Sequence, residues 1–384
     1  MTNHYFTIKT IDSSGLGDQL GTQFARLYTF GLALGLEFIY TPIYFKRSVK
    51  PDWFNVLQIT FLNIRSFLLR VFGQSFFSSI VNVVLFKIEK RVDIYLENYK
   101  DNLSDFLGLK LISNAKMPKN VVIKEIDLTA FVLSGKVQSI ESLKQYLLSD
   151  IETEREIVFN FSWTADMWGI IPKLDEILQA GGFDKLVLQK QLFSSVFHQI
   201  HSVGRPEKQL VFHIRCGDST TVHLIDTDLI VYDKYLYSSE AEMTSIFEID
   251  KDRHSVLPIQ FLEVFEKIKE NDQVDVGSIT VISDGYDLTY SNIMKNLLKR
   301  RNKIRLTKSD KKLLLSKVKE RNDIFKEFSP ANLIVGESQV KLEKSILSIA
   351  NAELLVWGCG GFAVNSHLLF NRVNGEIINI KNWS

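Results

Sequence analysis

Cysteine is scarce in this sequence, which has 384 residues and only two cysteines, Cys216 and Cys359. The two lie far apart in the chain and lack the spacing of metal ligands. A disulfide framework and a zinc site are therefore not expected. This cysteine usage fits a reducing compartment.

An excess of charge of either sign is also missing. The chain has 46 lysine and arginine residues against 45 aspartate and glutamate residues, so its net charge at pH 7 is +1. Such a chain has no overall field that would attract nucleic acid or an anionic membrane. We therefore expect no nucleic-acid partner, although a local basic site is compatible with this balance.

We also expect neither a secretion signal nor a membrane span. Residues 1–5 contain neither a basic leader nor an apolar signal core. The nearest approach to a span, residues 71–86, is only 16 residues long and carries glutamine, serine and asparagine. A buried helix is the preferred interpretation, and a helix at a membrane surface is the alternative. We expect a cytoplasmic protein, with peripheral contact to the inner membrane left open.

What the sequence does contain is an alternation of short apolar runs with helical periodicity, which is typical of an α/β fold. A turn-forming segment at residues 202–206 divides it. We therefore predict an N-terminal domain at residues 1–204, with a helical insertion, and a C-terminal domain at residues 205–384. Strands are predicted at residues 5–10, 37–40, 121–126, 157–161, 209–214, 279–282 and 353–357. Helices are predicted at 24–34, at more than one place within 51–109, and at 140–148, 172–201, 257–271, around 294–298 and 341–351.

A glycine-rich loop follows the first predicted strand. Gly15, Gly17 and Gly21 stand between that strand and a helix, and Glu37 follows about 20 residues on, which resembles a relaxed dinucleotide fingerprint. Asp18 places a negative charge where a pyrophosphate would need none. The loop nevertheless allows backbone N–H groups to approach a ligand. An NAD-dependent oxidoreductase is therefore one functional hypothesis.

The most informative segment is the apolar run at residues 209–214, which ends in Arg215, Gly217 and Asp218. In open α/β sheets, ligands bind at the carboxyl ends of the strands. An arginine at that place suits a phosphate, because its planar fork donates two parallel hydrogen bonds and keeps its charge. The alternative is an arginine that caps a neighbouring helix or pairs with Asp218.

Two further predicted strands end in polar or glycine-rich turns, at Ser283 and Asp284 and at residues 358–361. Parallel strands all end on the same side of their sheet, so these turns can share a crevice with Arg215. An arginine, a glycine nest and a helix N-terminus together favour a diphosphate, and an aspartate suits a base or ribose. Since no acidic group has metal spacing nearby, we expect a metal-independent site for a nucleotide diphosphate.

Four short motifs of this chain resemble those of the inverting fucosyltransferase superfamily and follow one another along the chain as they do there. The superfamily includes bacterial α1,2- and α1,6-enzymes and protein O-fucosyltransferases. His-Ile-Arg-Cys-Gly-Asp at residues 213–218 resembles its His-x-Arg-Arg-Gly-Asp signature. Gly-Leu-Gly-Asp-Gln at residues 15–19 is similar to its Gly-x-Gly-Asn-Gln motif. The strand end at 283–284, and the strand at 352–356 with its small-residue turn, resemble its second and third C-terminal motifs.

The resemblance implies a GT-B fold, in which two Rossmann-like domains face each other across a cleft. It also implies an enzyme without metal or other cofactor that transfers fucose from GDP-fucose to a glycan or a lipid-linked oligosaccharide. Arg215 would hold the β-phosphate and the charge of the leaving group, and His213 would contact the nucleoside. The remaining residues that it assigns to the donor are Ser283, Asp284, Gly360, Gly361, Gly17 and Asp18.

Inversion needs a base within hydrogen-bond reach of the acceptor hydroxyl. The candidates are Asp218, Asp18 and His223, and a surface histidine is the alternative interpretation of His223. The chain departs from the superfamily pattern at Cys216, which replaces the second arginine, and in the glycine-rich third motif. These departures leave open a different nucleotide sugar, or a relative that binds nucleotide or sugar without catalysis.

Overall fold

The structure is a computed structural model of the chain, and it divides into two compact units. The first comprises Met1–Ser48, Lys100–Arg205 and Gly361–Arg372, and the second comprises Val49–Tyr99, Pro206–Gly360 and Val373–Ser384. The residues that the structure describes are 4–9, 17, 20–21, 24–41, 60, 64, 102–113, 115–119, 121–135, 138–148, 156–162, 167–202, 204, 208–215, 220–225, 228–233, 258–270, 278–283, 312, 323–336, 339–358 and 360–380.

The first unit contains a four-stranded parallel sheet in the order β2-β1-β4-β3. Its strands are β1 (His4–Ile8), β2 (Glu37–Phe38), β3 (Val122–Asp127) and β4 (Ile157–Ser162). The helices of its first two stretches are α1 (Ala25–Ala33), α2 (Asn102–Phe106), α3 (Leu128–Leu133), α4 (Ile140–Leu148), α5 (Met167–Ala180) and α6 (Lys185–Ile200). A 3₁₀ turn spans Leu109–Ile112.

The core of this unit is built around Phe6 of β1, which is fully buried. Its ring centroid lies 5.9 Å from that of Tyr28, 5.1 Å from that of Phe38 and 5.8 Å from that of Phe161. Gly31 of α1 makes room for it, because a Cβ there would lie 2.3 Å from Phe6 Cζ. Burial in this aromatic cluster raises the pKa of the Tyr28 phenol to about 12.

The second unit contains a five-stranded parallel sheet in the order β11-β10-β5-β8-β9 and an antiparallel pair, β6 and β7. Its strands are β5 (Gln209–Ile214), β6 (Thr220–Ile225), β7 (Asp228–Asp233), β8 (Ile279–Ser283), β9 (Asn332–Val335), β10 (Ala352–Trp357) and β11 (Glu376–Asn379). Its helices are α7 (Pro258–Glu270) and α8 (Gln339–Ala350), and a 3₁₀ turn spans Ile324–Phe328.

The order of the strands reverses between β5 and β10. The chain runs outward from β5 through β8 to β9, and then returns to the other side of β5 for β10 and β11. Crossovers between parallel strands are right-handed, so α7 and α8, which lead in opposite directions, cover opposite faces. The carboxyl ends of β5 and β10 therefore border a topological switch point.

Alternation along β5 assigns its side chains to the two faces. The ring centroid of Phe212 lies 6.4 Å from that of Phe261 and 5.6 Å from that of Phe265, both in α7, and 5.1 Å from that of Phe328. Phe212 thus points to the face covered by α7. The residue that follows it, His213, points to the opposite face.

A further helix, α9 (Gly361–Phe370), follows β10 but is grouped with the first unit. The ring centroid of Phe370 lies 4.8 Å from that of Phe197 and 6.5 Å from that of Phe193, and both partners belong to α6. The Ser194 hydroxyl donates a hydrogen bond to the carbonyl of Leu369. These contacts pack the C-terminal half of α9 onto α6.

The predicted α/β class is confirmed, and every strand predicted from the sequence is present. One helix prediction was wrong: the stretch 172–201 forms two helices, α5 and α6, separated by Gly181 and Gly182. Gly182 has a φ of 80°, a left-handed conformation that ends the first helix. Pro172 lies inside α5 near its start rather than before it.

The stretch at residues 71–86, interpreted from the sequence as a buried or membrane-surface helix, lies outside the described residues. Among the helices that the structure describes, none combines the length and the apolar character needed to cross a bilayer.

Candidate functional site

The candidate site lies at the switch point of the second unit, where β5 and β10 end side by side. Arg215 follows the last residue of β5, and Gly358 and Gly360 follow β10. Open α/β sheets bind ligands at such a point, because the loops there diverge to opposite faces and leave a crevice. Two of the residues predicted to bind the donor, Arg215 and Gly360, are thus brought to one place.

Arg215 and Gly360 are in direct contact. A Cβ added to Gly360 would lie 3.1 Å from Nη1 and 3.3 Å from Cδ of Arg215. Gly360 also has a φ of 86°, a conformation that side chains other than glycine rarely adopt. The glycine therefore lets the Arg215 side chain cross from the end of β5 to the turn after β10.

His213 lies two residues before Arg215 on the same face of the sheet and is only 8% exposed. Burial, and in second place the Arg215 cation, lower the pKa of its imidazole to about 4. His213 is therefore neutral at neutral pH and carries one hydrogen-bond donor and one acceptor. It adds polarity beside the arginine without adding charge.

Trp357 is a residue at this place that the sequence did not single out. It ends β10 and is paired in register with His213, so both side chains lie on the same face of the sheet. It is only partly buried, and within the described part of the chain its side chain has neither a hydrogen bond nor a ring contact. An aromatic residue that ends an apolar strand before a glycine turn was the signal available in the sequence.

Ser283 is placed differently from the other predicted donor residues. It ends β8 in register with Ile214, so its side chain points to the face opposite His213 and Arg215. It is 3% exposed, and its carbonyl accepts a hydrogen bond of 2.9 Å from the N–H of Gly336. This bond ties the end of β8 to the end of β9.

In the first unit, two predicted glycines, Gly17 and Gly361, pack against each other. A Cβ on Gly17 would lie 2.2 Å from the backbone nitrogen of Phe362 and 2.5 Å from the carbonyl carbon of Gly361. The Asn365 side chain donates a 3.0 Å hydrogen bond from Nδ2 to the carbonyl of Gly17. The absence of a side chain on Gly17 thus allows close contact with the first turn of α9.

Gly21 has a similar role, four residues later. A Cβ there would lie 2.2 Å from Cγ of Asn365. Arg26 donates from Nη1 to the Gly21 carbonyl at 3.5 Å, and its Nε and Nη2 pair with the Asp175 carboxylate at 3.0 and 3.2 Å. Gly17 and Gly21, whose spacing suggested a nucleotide-binding loop, therefore both pack closely against α9.

Four other positions complete the predicted set. His223 lies in β6 and pairs in register with Ile230 of β7. Asp18, Asp218 and Asp284 lie outside the described residues. Within the described residues no group of three or more potential ligands could hold a metal ion, and a metal-independent reaction stays a prediction.

Comparison with protein-family models, with curated proteins and with solved structures gave no match to this chain.

Proposed function

We propose that the protein is an inverting glycosyltransferase that moves a sugar, fucose in the first instance, from a GDP donor to a hydroxyl of a glycan or lipid-linked oligosaccharide. The observation that carries this proposal is the contact of Arg215 with Gly360 at the switch point of a parallel sheet. The four motifs that resemble the fucosyltransferase superfamily supply the donor class. Each of the two units contains a parallel sheet with helices, as each domain of a GT-B fold does.

The charge of a diphosphate explains why an arginine and a glycine turn would act together. The Arg215 fork donates two parallel hydrogen bonds to phosphate oxygens. Because Gly360 has no side chain, the guanidinium can lie close to the backbone of the turn after β10. The neutral His213 adds no charge of its own beside the cation of Arg215.

In the proposed reaction the acceptor oxygen forms a bond to the anomeric carbon while the bond from that carbon to the β-phosphate oxygen breaks. The electron pair of the broken bond leaves with GDP, and the proton of the acceptor hydroxyl passes to a base. Negative charge grows on the diphosphate as the bond breaks, so Arg215 stabilises the transition state more than the bound donor. Asp218, Asp18 and His223 stay the predicted candidates for the base.

Replacement of Arg215 tests the proposal. We expect Arg215→Ala to lower donor turnover, measured by mass spectrometry, by about a hundredfold or more, as loss of one preorganised donor does elsewhere. Arg215→Lys keeps the charge but loses the fork, so it should recover only part of the activity. Full turnover in folded Arg215→Ala would refute the proposal.

Lys208 provides the matched control, because it is a cation at the opposite end of the same strand. It forms an exposed ion pair with Glu353, with a distance of 2.7 Å between Nζ and Oε1. Lys208→Ala should leave turnover unchanged. A thermal-shift comparison of GDP, UDP and NAD then separates the donor classes, because a ligand that binds only the folded state raises its stability. Stabilisation by NAD alone would favour an oxidoreductase, and stabilisation by GDP without turnover would favour a non-catalytic relative.

A further inference from the structure

We propose that Trp357 is the surface on which the planar base of the nucleoside diphosphate stacks while Arg215 holds the diphosphate. This inference rests on the proposed function and names the residue that binds the base of the nucleotide donor. It follows from the strand register, from the exposure of Trp357 and from the position of the Arg215 guanidinium.

The strand register places Trp357 beside the polar residues of the switch point. Trp357 of β10 is paired with His213 of β5, and Arg215 follows His213 by two residues. Residues two apart on a strand share a face and lie about 7 Å apart along it. The indole is therefore one layer of side chains away from the arginine, on the same face of the sheet.

The Arg215 side chain also turns toward the segment that follows Trp357. Its Cδ and Nη1 lie against Gly360, and only Gly358 and Cys359 separate that glycine from Trp357. Three residues of chain span at most about 10 Å. A ring surface and a cation thus border one short turn. This combination matches a nucleoside diphosphate, in which a ribose separates the planar base from the phosphates.

Trp357 differs from the other aromatic residues of this sheet. Phe212 is completely buried, with three aromatic rings around it. Trp357 is partly exposed, and within the described residues its indole has no ring neighbour and no hydrogen bond. A partly exposed aromatic side chain at the ligand-binding edge of a parallel sheet can offer its π face to a base.

Two ligands distinguish base stacking from phosphate binding. GDP has a base and a diphosphate, whereas inorganic pyrophosphate has only the second. We expect titration calorimetry on the full chain to show that Trp357→Leu weakens GDP binding by at least about fivefold and leaves pyrophosphate binding unchanged. Trp357→Phe, which keeps an aromatic ring, should lose less GDP affinity than Trp357→Leu. Arg215→Ala should weaken the binding of both ligands. Leu333→Ala, at an exposed position of β9 in the same sheet, should weaken the binding of neither.

The outcomes that overturn the inference are distinct from those that overturn the proposed function. Equal binding of GDP to the wild type and to folded Trp357→Leu would overturn the inference alone. Equal weakening of both ligands by Trp357→Leu would assign Trp357 a structural role and overturn it as well. Unchanged binding of both ligands to Arg215→Ala would overturn the proposed function and the part of the inference that gives the diphosphate to Arg215. A loss confined to GDP in Trp357→Leu would still assign the base to Trp357. Failure of wild-type protein to bind GDP would overturn both.

Discussion

The guanidinium of Arg215 and the backbone of Gly360 lie so close that a methyl group on the glycine would come within 3.1 Å of Nη1. The two residues follow different strands, β5 and β10, which are neighbours only because the strand order reverses between them. A side chain at position 360 would therefore displace the guanidinium of Arg215.

Gly360→Ala should weaken GDP binding and lower stability. The added Cβ displaces Arg215, and a φ of 86° costs an alanine about 1–2 kcal/mol. Gly182→Ala is the control, because Gly182 has a φ of 80° and nothing within 4 Å of its Cβ position. It should lose similar stability, measured by urea unfolding, and keep full GDP affinity. Equal GDP affinity in the two variants would contradict the role given to the contact.

His213 should make stability depend on pH between about 4 and 6.5. Its folded-state pKa of about 4 lies below the ordinary value of 6.5, so the unfolded chain binds the proton first. Stability from this group is therefore complete above pH 6.5 and is lost as the pH falls toward 4, by about 3 kcal/mol in all. The difference in unfolding free energy between the wild type and His213→Leu should rise across this window and be flat above it. A difference that is constant from pH 4 to pH 7 would argue against a buried neutral histidine.

Gly21 and Asn365 should behave as a coupled pair. Gly21→Ala forces the Asn365 side chain to move and to give up its bond to the Gly17 carbonyl, so we expect a loss of about 1–3 kcal/mol. Asn365→Ala should cost about 1 kcal/mol. The double variant should lose less than the sum by about 1 kcal/mol, because the clash is removed. Additive losses in urea unfolding would contradict the contact.

Gly17→Ala is the contrasting case for the same glycine loop. Its Cβ would meet the backbone of Phe362 and Gly361, which a side-chain rotation cannot relieve. We expect a larger loss of stability than for Gly21→Ala, and no recovery when Asn365→Ala is added. Recovery in that double variant would show that the loop is not fixed against α9 as the structure has it.

The Arg26 and Asp175 pair should contribute to stability through its geometry. The two side chains form two hydrogen bonds, of 3.0 and 3.2 Å, and that of Arg26 is only 11% exposed. Arg26→Lys keeps the charge but loses the fork, and we expect a cost of about 1–2 kcal/mol in thermal or urea unfolding. The exposed pair of Lys326 and Asp323 is the control, where Lys326→Met should cost less than about 0.5 kcal/mol.

Several of the strands that the sequence predicted consist of continuous apolar runs. In β5, every residue from Leu210 to Ile214 is buried, and such a run is readable from the sequence alone. The two sheet strands at the edges of the second unit, β9 and β11, were not predicted. Each has only four residues, with an apolar run of two or three, and most of these residues are half-buried or exposed. These two short strands are stabilised by pairing with a neighbour, which their local sequence does not encode.

The sequence by itself determined the α/β class and showed which residue types stand at the strand ends, because both depend on residues that are close in the chain. Arg215 after an apolar run and glycines after another were sufficient to predict a phosphate site. Only the tertiary structure decided which ends meet. The register beside β5 brings Trp357 to His213, and Asn365 reaches Gly17 across 348 positions of sequence. Such contacts depend on strand order and helix packing over long sequence separations, so local periodicity contains no record of them.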